Sequence, residues 1–421
     1  MKPRGMLITA VAAAAALALG SCSGGGSNAS GDPDDESSFV QGVTDDTIVV
    51  ANSAATSGAY APVGVPFLAG LEGYFDMINA QGGVDGRQIE FLHVDDEFDP
   101  AKGSAALTKF IEDDEVFAIV GHFGTPVVAA TVETLKESGI PSVYFATGIG
   151  QLYAEGATSN AEGANLFPVQ PLYLSEGAIM AAYAAGAFDA KKIGIIYTND
   201  DAGMDLEKGA VEQIDSLDGV EYVEEQVAAG AADVSAAVTS MKNAEVDFVI
   251  VAAIQATMPT IVKEMAAQGM DTDAITTYVN VSSAMSEAVQ ADIDGKFDLY
   301  GPGWVDYTSE VAQESLADYQ GAVDEEYAMN AYAQTGWIAG TFFVEGLKRL
   351  EGEEVTWASY QAAMEDGPIQ NPFGGTIDFS DGQRKGTQEM NLAKVVAASQ
   401  ANPSGWEQVE PLQSIDSLLG Q

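Results

Sequence analysis

The chain has 421 residues, of which 17 are Lys or Arg and 63 are Asp or Glu, giving a formal net charge of −46. Phosphate backbones and anionic headgroups are bound through Lys/Arg patches, so a polyanion of this size excludes nucleic-acid function. Disorder is not implied, because 47% hydrophobic and 9% aromatic residues supply enough apolar surface for packed cores.

The first element in chain order is a leader. Lys2 and Arg4 precede the apolar run Met6–Leu19, and small residues follow, so Met1–Ser21 reads as a secretory signal. As a helix the apolar run would span roughly 21 Å, short of the roughly 30 Å of a bilayer's hydrocarbon core, and a transmembrane anchor is not expected. Leu19-Gly20-Ser21-Cys22 resembles the lipobox of bacterial lipoproteins, and Cys22 is the chain's one cysteine. The resemblance implies cleavage before Cys22 and acylation of its thiol, which would hold the protein on the extracytoplasmic face of the cell membrane. With one cysteine, a disulfide within the chain is impossible. Residues 22–41, rich in Gly, Ser and Asp, read as a flexible tether between that anchor and a folded body. Behind the leader and tether, about 375 residues suffice for two domains or one large one.

From Thr44 apolar segments alternate between the two structural periods. Strands are expected at Thr47–Asn52, Arg87–Val94, Val116–Gly121 and Ile140–Ala146. Helices are expected at Val65–Gln81, stopped by Gly82-Gly83, at Pro100–Asp113 and at Pro126–Ser138. The pattern restarts with helices at Leu172–Ala187, Asp205–Ser216, Val234–Asn243 and Pro259–Gln268. Strands at Lys192–Tyr197, Val220–Gln226, Phe248–Ala253 and Ala274–Val279 interleave them. Helices at Glu310–Glu326, Ala331–Leu350 and Thr356–Met364 follow, then extended segments at Thr376–Phe379 and Met390–Ala397. Repeated βα units with short connections predict an α/β fold with two parallel sheets, each covered on both faces.

The stretch Gly42–Gly148 carries Gly-Val-Thr-Asp-Asp-Thr-Ile (42–48) and Phe-Asp-Met-Ile-Asn-Ala-Gln-Gly-Gly-Val-Asp-Gly-Arg (75–87). It also carries Asp-Asp-Glu-Phe-Asp-Pro-Ala (95–101), Phe-Ala-Ile-Val-Gly (117–121), and Gly-Ile-Pro (139–141) leading to Ala-Thr-Gly (146–148). In that order and spacing these segments resemble the type I solute-binding proteins of branched-chain amino-acid ABC transporters, with weaker similarity continuing to the C-terminus. The resemblance implies a type I periplasmic-binding-protein fold, two doubly wound lobes joined by a three-strand hinge. Residues 42–168 and 305–386 would form the N-terminal lobe, and 169–304 and 387–421 the C-terminal lobe, with crossings near Pro168, Trp304 and Gly386. It further implies a monomer that captures a small polar solute (an amino acid, amide or short carboxylate) by hinge closure and delivers it to ABC permease subunits. A ligand-sensing surface receptor of the same fold would carry the same features.

The turn His122-Phe123-Gly124-Thr125-Pro126 is the best ligand candidate, with Phe123 lining it, Thr125 expected as helix cap and Pro126 as first helical residue. Free N–H groups there favour a carboxylate, and the resemblance places a ligand-binding hydroxyl at Thr125. It also implies a backbone carbonyl at Ala146 and a hydroxyl at Thr147. Tyr60, on the loop after the first strand, is placed to line the cleft, and Asn199 heads the corresponding loop of the second half. Here the sequence departs from the family: Ala202 and Ile254 stand where aromatics are usual, and no acid near Tyr278-Val279-Asn280 aligns with the glutamate that pairs a ligand ammonium. Tyr278 and Asn280 instead suit a neutral or carboxylate-bearing ligand. The cysteine pair of some relatives is absent, with Phe98 and Gly124 near those positions.

An enzyme is the weaker class. Any histidine metal site or catalytic triad would have to use His93 or His122, the only two histidines. No Gly-x-x-x-x-Gly-Lys loop occurs, and acidic pairs such as Asp95-Asp96 carry little weight among 63 acids. No metal or cofactor is expected.

Overall fold

The computed structural model describes residues 41–152, 163–307, 309–400 and 402–419. The leader, Cys22 and the tether to residue 40 lie outside them.

The first sheet is wholly parallel. Its strands are β1 (Thr47–Ala54), β2 (Gln88–Asp95), β3 (Ala118–Phe123), β4 (Ser142–Ala146) and β5 (Leu166–Phe167), in the order β2-β1-β3-β4-β5. Helices α1 (Ala61–Ala80), α2 (Pro100–Glu112) and α3 (Thr125–Ser138) connect them. All six residues of β3 are buried, as expected of a strand covered on both faces.

The chain then passes to a second sheet through α4 (Tyr173–Ala182). That sheet holds β6 (Lys192–Thr198), β7 (Glu221–Val227), β8 (Phe248–Ala252), β9 (Ala274–Thr276) and β10 (Leu299–Gly303), all parallel. They are interleaved with α5 (Asp201–Asp215), α6 (Ser235–Ala244), α7 (Thr257–Ala267) and α8 (Ser283–Ile293). After β10 come α9 (Glu310–Ala322), α10 (Ala331–Lys348) and α11 (Trp357–Met364), then a two-stranded ribbon of β11 (Ile369–Gln370) and β12 (Thr376–Ile377). Helix α10 packs on α1 and against β3 and β4, so this stretch has returned to the first lobe. Finally β13 (Glu389–Val395) and β14 (Trp406–Ser414) add two antiparallel strands beyond β10, and α12 (Ile415–Leu418) ends the described chain. The second sheet is therefore mixed at one edge, where the sequence pattern had suggested parallel strands alone.

The three passages between lobes run side by side. The Thr387 N–H donates to the Val169 carbonyl at 2.9 Å, and Asn391 Nδ2 donates to the Val305 carbonyl at 2.7 Å. Gly386 has φ +64°, and a side chain there would collide with the Gln170 carbonyl. Only glycine allows the passages to approach this closely.

Several expected boundaries shift. Helix α1 begins at Ala61, taking in Pro62 and Pro66, and α5 begins at Asp201 because Asp200 caps it, accepting from the Gly203 N–H at 2.9 Å. Residues 183–187 form a π turn beyond α4. The strand expected to reach Val279 stops at Thr276, and Tyr278–Asn280 is a short 3-10 turn.

Helices α1 and α10 both carry cleft residues, and their separation is set by glycines. A methyl group at Gly336 would fall on the Phe67 carbonyl, and one at Gly70 on that of Ala333. Gly336→Ala is expected to destabilise by about 1–3 kcal/mol, because neither backbone can move without breaking helical packing. Gly321→Ala, with open space at the same atom, should be neutral or mildly stabilising. Urea midpoints of the two variants measure the contrast.

Candidate functional site

A cleft of about 950 Å³, its open mouth included, lies between the carboxyl ends of the parallel strands of the two sheets, where open α/β sheets place ligands. The first lobe contributes Tyr60, Val63, Phe67, Phe98, Phe123, Gly124, Thr125 and Ala146. The second faces them with Ile254, Gln255, Tyr278, Val279 and Val281. Hinge residues Gln170, Tyr173, Trp304 and Tyr307, together with Tyr332, Gln334 and Thr335 of α10, complete the wall. Among the described residues lining it there is no Asp, Glu, Lys, Arg or His.

The start of α3 differs from the expectation. Gly124, with φ +92°, occupies the cap position and Thr125 is the first helical residue. No side chain caps the helix; Pro126 has no N–H and the Val128 N–H donates to the Gly124 carbonyl, which leaves the N–H groups of Thr125 and Val127 uncapped. Freed from capping, the Thr125 hydroxyl sits 2.8 Å from that of Thr147. The Tyr173 hydroxyl lies close to both threonines, and burial above all raises its pKa. Tyr173, which sequence reasoning did not single out, thus joins Thr125 and Thr147 in one hydroxyl cluster. The Ala146 carbonyl accepts from the Gly124 N–H at 3.3 Å.

Across the cleft, hydroxyls and amides hold one another. Tyr278 Oη donates to Gln170 Oε1 at 3.0 Å, and Gln170 Nε2 donates to Tyr144 Oη at 2.7 Å. Tyr332 Oη donates to Ser282 Oγ at 3.2 Å and accepts from Gln255 Nε2 at the same distance, joining α10 to the second lobe. Tyr60 stacks on Phe98 with centroids 3.7 Å apart and planes 13° from parallel. Burial, and then the charge of Asp200 across the cleft, raise the Tyr60 pKa.

Of the residues singled out from sequence, Tyr60, Phe123, Thr125, Ala146 and Tyr278 line the cleft together, and Thr147 lies directly behind Thr125. Asn199 and Asn280 do not line it. Asn199 Oδ1 accepts from the Ala229 N–H at 3.1 Å and pins the loop after β7. Asn280 is fully buried, its amide donating to the Ala253 carbonyl and Thr276 Oγ1, both at 2.8 Å, and its oxygen accepting from the Gln255 N–H. His122 points into the core: Nε2 pairs with Thr131 Oγ1 at 2.8 Å, and burial lowers its pKa to about 4.

A buried acid does stand near the second-lobe loop. Glu176, in the first turn of α4, accepts from the Tyr278 N–H at 2.5 Å and the Thr277 hydroxyl at 2.9 Å. Both carboxyl oxygens are occupied within the protein, and burial pushes its pKa to about 8. It supports the Tyr278 turn from behind without facing the cleft.

Residues 47–401 match the sequence model of the periplasmic binding protein family. A Leu/Ile/Val-binding protein homologue of Brucella abortus is 26% identical over 259 residues, covering 61% of this chain and 67% of that protein. Among solved structures, a fatty acid ABC transporter substrate-binding protein from Thermomonospora curvata superposes with TM-score 0.74 at 17% identity, covering 90% of this chain and 95% of that one. A solute-binding protein of an R. palustris ABC transporter in complex with benzoate gives TM-score 0.70 at 21% identity, over 87% and 98% of the two chains.

Proposed function

The chain belongs to the periplasmic binding protein family, and from that premise we propose that it is the solute-binding component of an ABC importer for a small carboxylate with an apolar body and no ammonium group. The lobes close over the ligand at the three-stranded hinge, and the closed form docks on the permease. Acylated Cys22 tethers the protein to the extracytoplasmic face of the membrane.

The cleft lining carries this reading. A desolvated ammonium needs a carboxylate beside it, and the described lining offers none. A carboxylate can instead use the uncapped start of α3 and the hydroxyls of Thr125 and Tyr173, with Thr147 bracing Thr125 from behind, while apolar and aromatic side chains cover the rest. Two structural neighbours name ligands of this class, a fatty acid and benzoate, whereas another, from Thermus thermophilus, holds valine, which carries an ammonium.

Short alkyl and aryl carboxylates should raise the melting temperature of the purified protein. If no carboxylate does so, the reading fails. Thr125→Ala should weaken a bound carboxylate by about 1–3 kcal/mol, the cost of leaving a charged group one hydrogen bond short. Titration calorimetry measures it, and unchanged affinity would remove Thr125 from the site.

A further inference from the structure

Phe98 stands in the turn between β2 and α2 with φ +65°, next to Glu97 at φ +55°. Two consecutive left-handed residues that are not glycine are uncommon and persist only where their surroundings hold them. Here the surroundings are specific. Asp96, fully buried, accepts the Phe98 N–H at 2.8 Å with one oxygen and the Ser53 hydroxyl at 2.5 Å with the other. Asp95 Oδ1 accepts the N–H groups of Glu97, Thr56 and Ser57, tying this turn to the loop that carries Tyr60.

The constraint delivers one ring. Phe98 lies over the Cα of Gly124, where a Cβ would come 2.5 Å from Cε2, so any larger residue at 124 would displace it. The ring is parallel to Tyr60 and edge-on to Phe123, with centroids 6.4 Å apart and planes 70° from parallel. It therefore stands beside the uncapped start of α3, where the carboxylate is placed.

We propose that Phe98, fixed over Gly124 and stacked on Tyr60, is the residue that sets ligand shape, selecting aryl carboxylates over saturated carboxylates of equal size. An aromatic ring gains from stacked or edge-to-face contact with this cluster beyond the area it buries, and a puckered saturated ring cannot adopt those geometries. The inference rests on the carboxylate reading above and adds the class of acid.

Benzoate and cyclohexanecarboxylate, matched in charge and ring size, are the probes, titrated calorimetrically into the purified protein. Benzoate should bind about five- to tenfold more tightly, and Phe98→Leu should bring the ratio to within about twofold. Tyr60→Leu, which removes the stacking partner, should also lower the ratio, and it carries the test if Phe98→Leu does not fold. If both acids bind the unaltered protein equally, or the preference survives in a folded variant, the inference is overturned while the carboxylate reading stands. If neither acid binds, the inference is overturned, and the carboxylate reading falls with it only where no other short carboxylate raises the melting temperature.

Discussion

Arg384→Met is expected to destabilise the protein by about 3–5 kcal/mol, the usual cost of leaving a buried charge without its partner. The Arg384 side chain is wholly inaccessible to solvent, and Nη2 donates to Glu365 Oε1 and to the Ala164 carbonyl, both at 2.5 Å. Nη1 donates to the Gln383 carbonyl at 2.8 Å, and the guanidinium lies 4.4 Å over the Phe167 ring. One side chain thus ties together β5, α11 and the last residues before the third passage between lobes. Methionine fills much of the volume but leaves the Glu365 carboxylate and the Ala164, Phe379 and Gln383 carbonyls without this donor. Denaturant unfolding measures the loss, and Arg384→Met combined with Glu365→Gln should recover part of it, since the stranded charge is then gone. A loss below about 1 kcal/mol would mean that the pair contributes little.

Glu176→Gln is expected to remove a pH dependence of folding worth up to about 5 kcal/mol. Burial raises the Glu176 pKa from 4.5 to about 8. Below pH 4.5 the group is protonated in both the folded and unfolded chains, and its contribution is fully present. Between pH 4.5 and 8 the unfolded chain loses the proton while the folded chain keeps it, so this contribution is lost as pH rises. Glutamine can accept from the Tyr278 N–H and donate to Thr277 Oγ1, preserving both contacts. Wild type and variant should therefore have similar stability at pH 4, with the variant gaining steadily toward pH 8. A constant difference across that range would mean that Glu176 is ionised in the fold.

The α/β alternation was legible because buried parallel strands and amphipathic helices print different periods. Three elements of the second lobe left no such print. Helix α8 is built largely of small and polar residues, β10 reads Leu-Tyr-Gly-Pro-Gly, and β14 is a mostly exposed edge strand. At the site, the turn at 122–126 was found but its register was off by one, because Gly124 takes the cap in a conformation that residue lists do not encode. Asn280 illustrates a limit of chemical type: an amide suited to a ligand is spent on bracing its own turn. Glu176 was hidden among 63 acids, since only burial distinguishes it. Phe98 was noticed for what it replaces, but its role depends on a left-handed turn and on a bare Cα opposite.

Excess acid describes the surface of this protein, and the cleft is its opposite, with no Asp or Glu among the described residues that line it. The most direct test of that contrast compares 3-phenylpropionate with phenylalanine, which differ by one ammonium group, in titrations of the purified protein at neutral pH. The plain acid should bind at least about 100-fold more tightly, because the ammonium would be desolvated without a carboxylate beside it. Equal or tighter binding of phenylalanine would contradict the account.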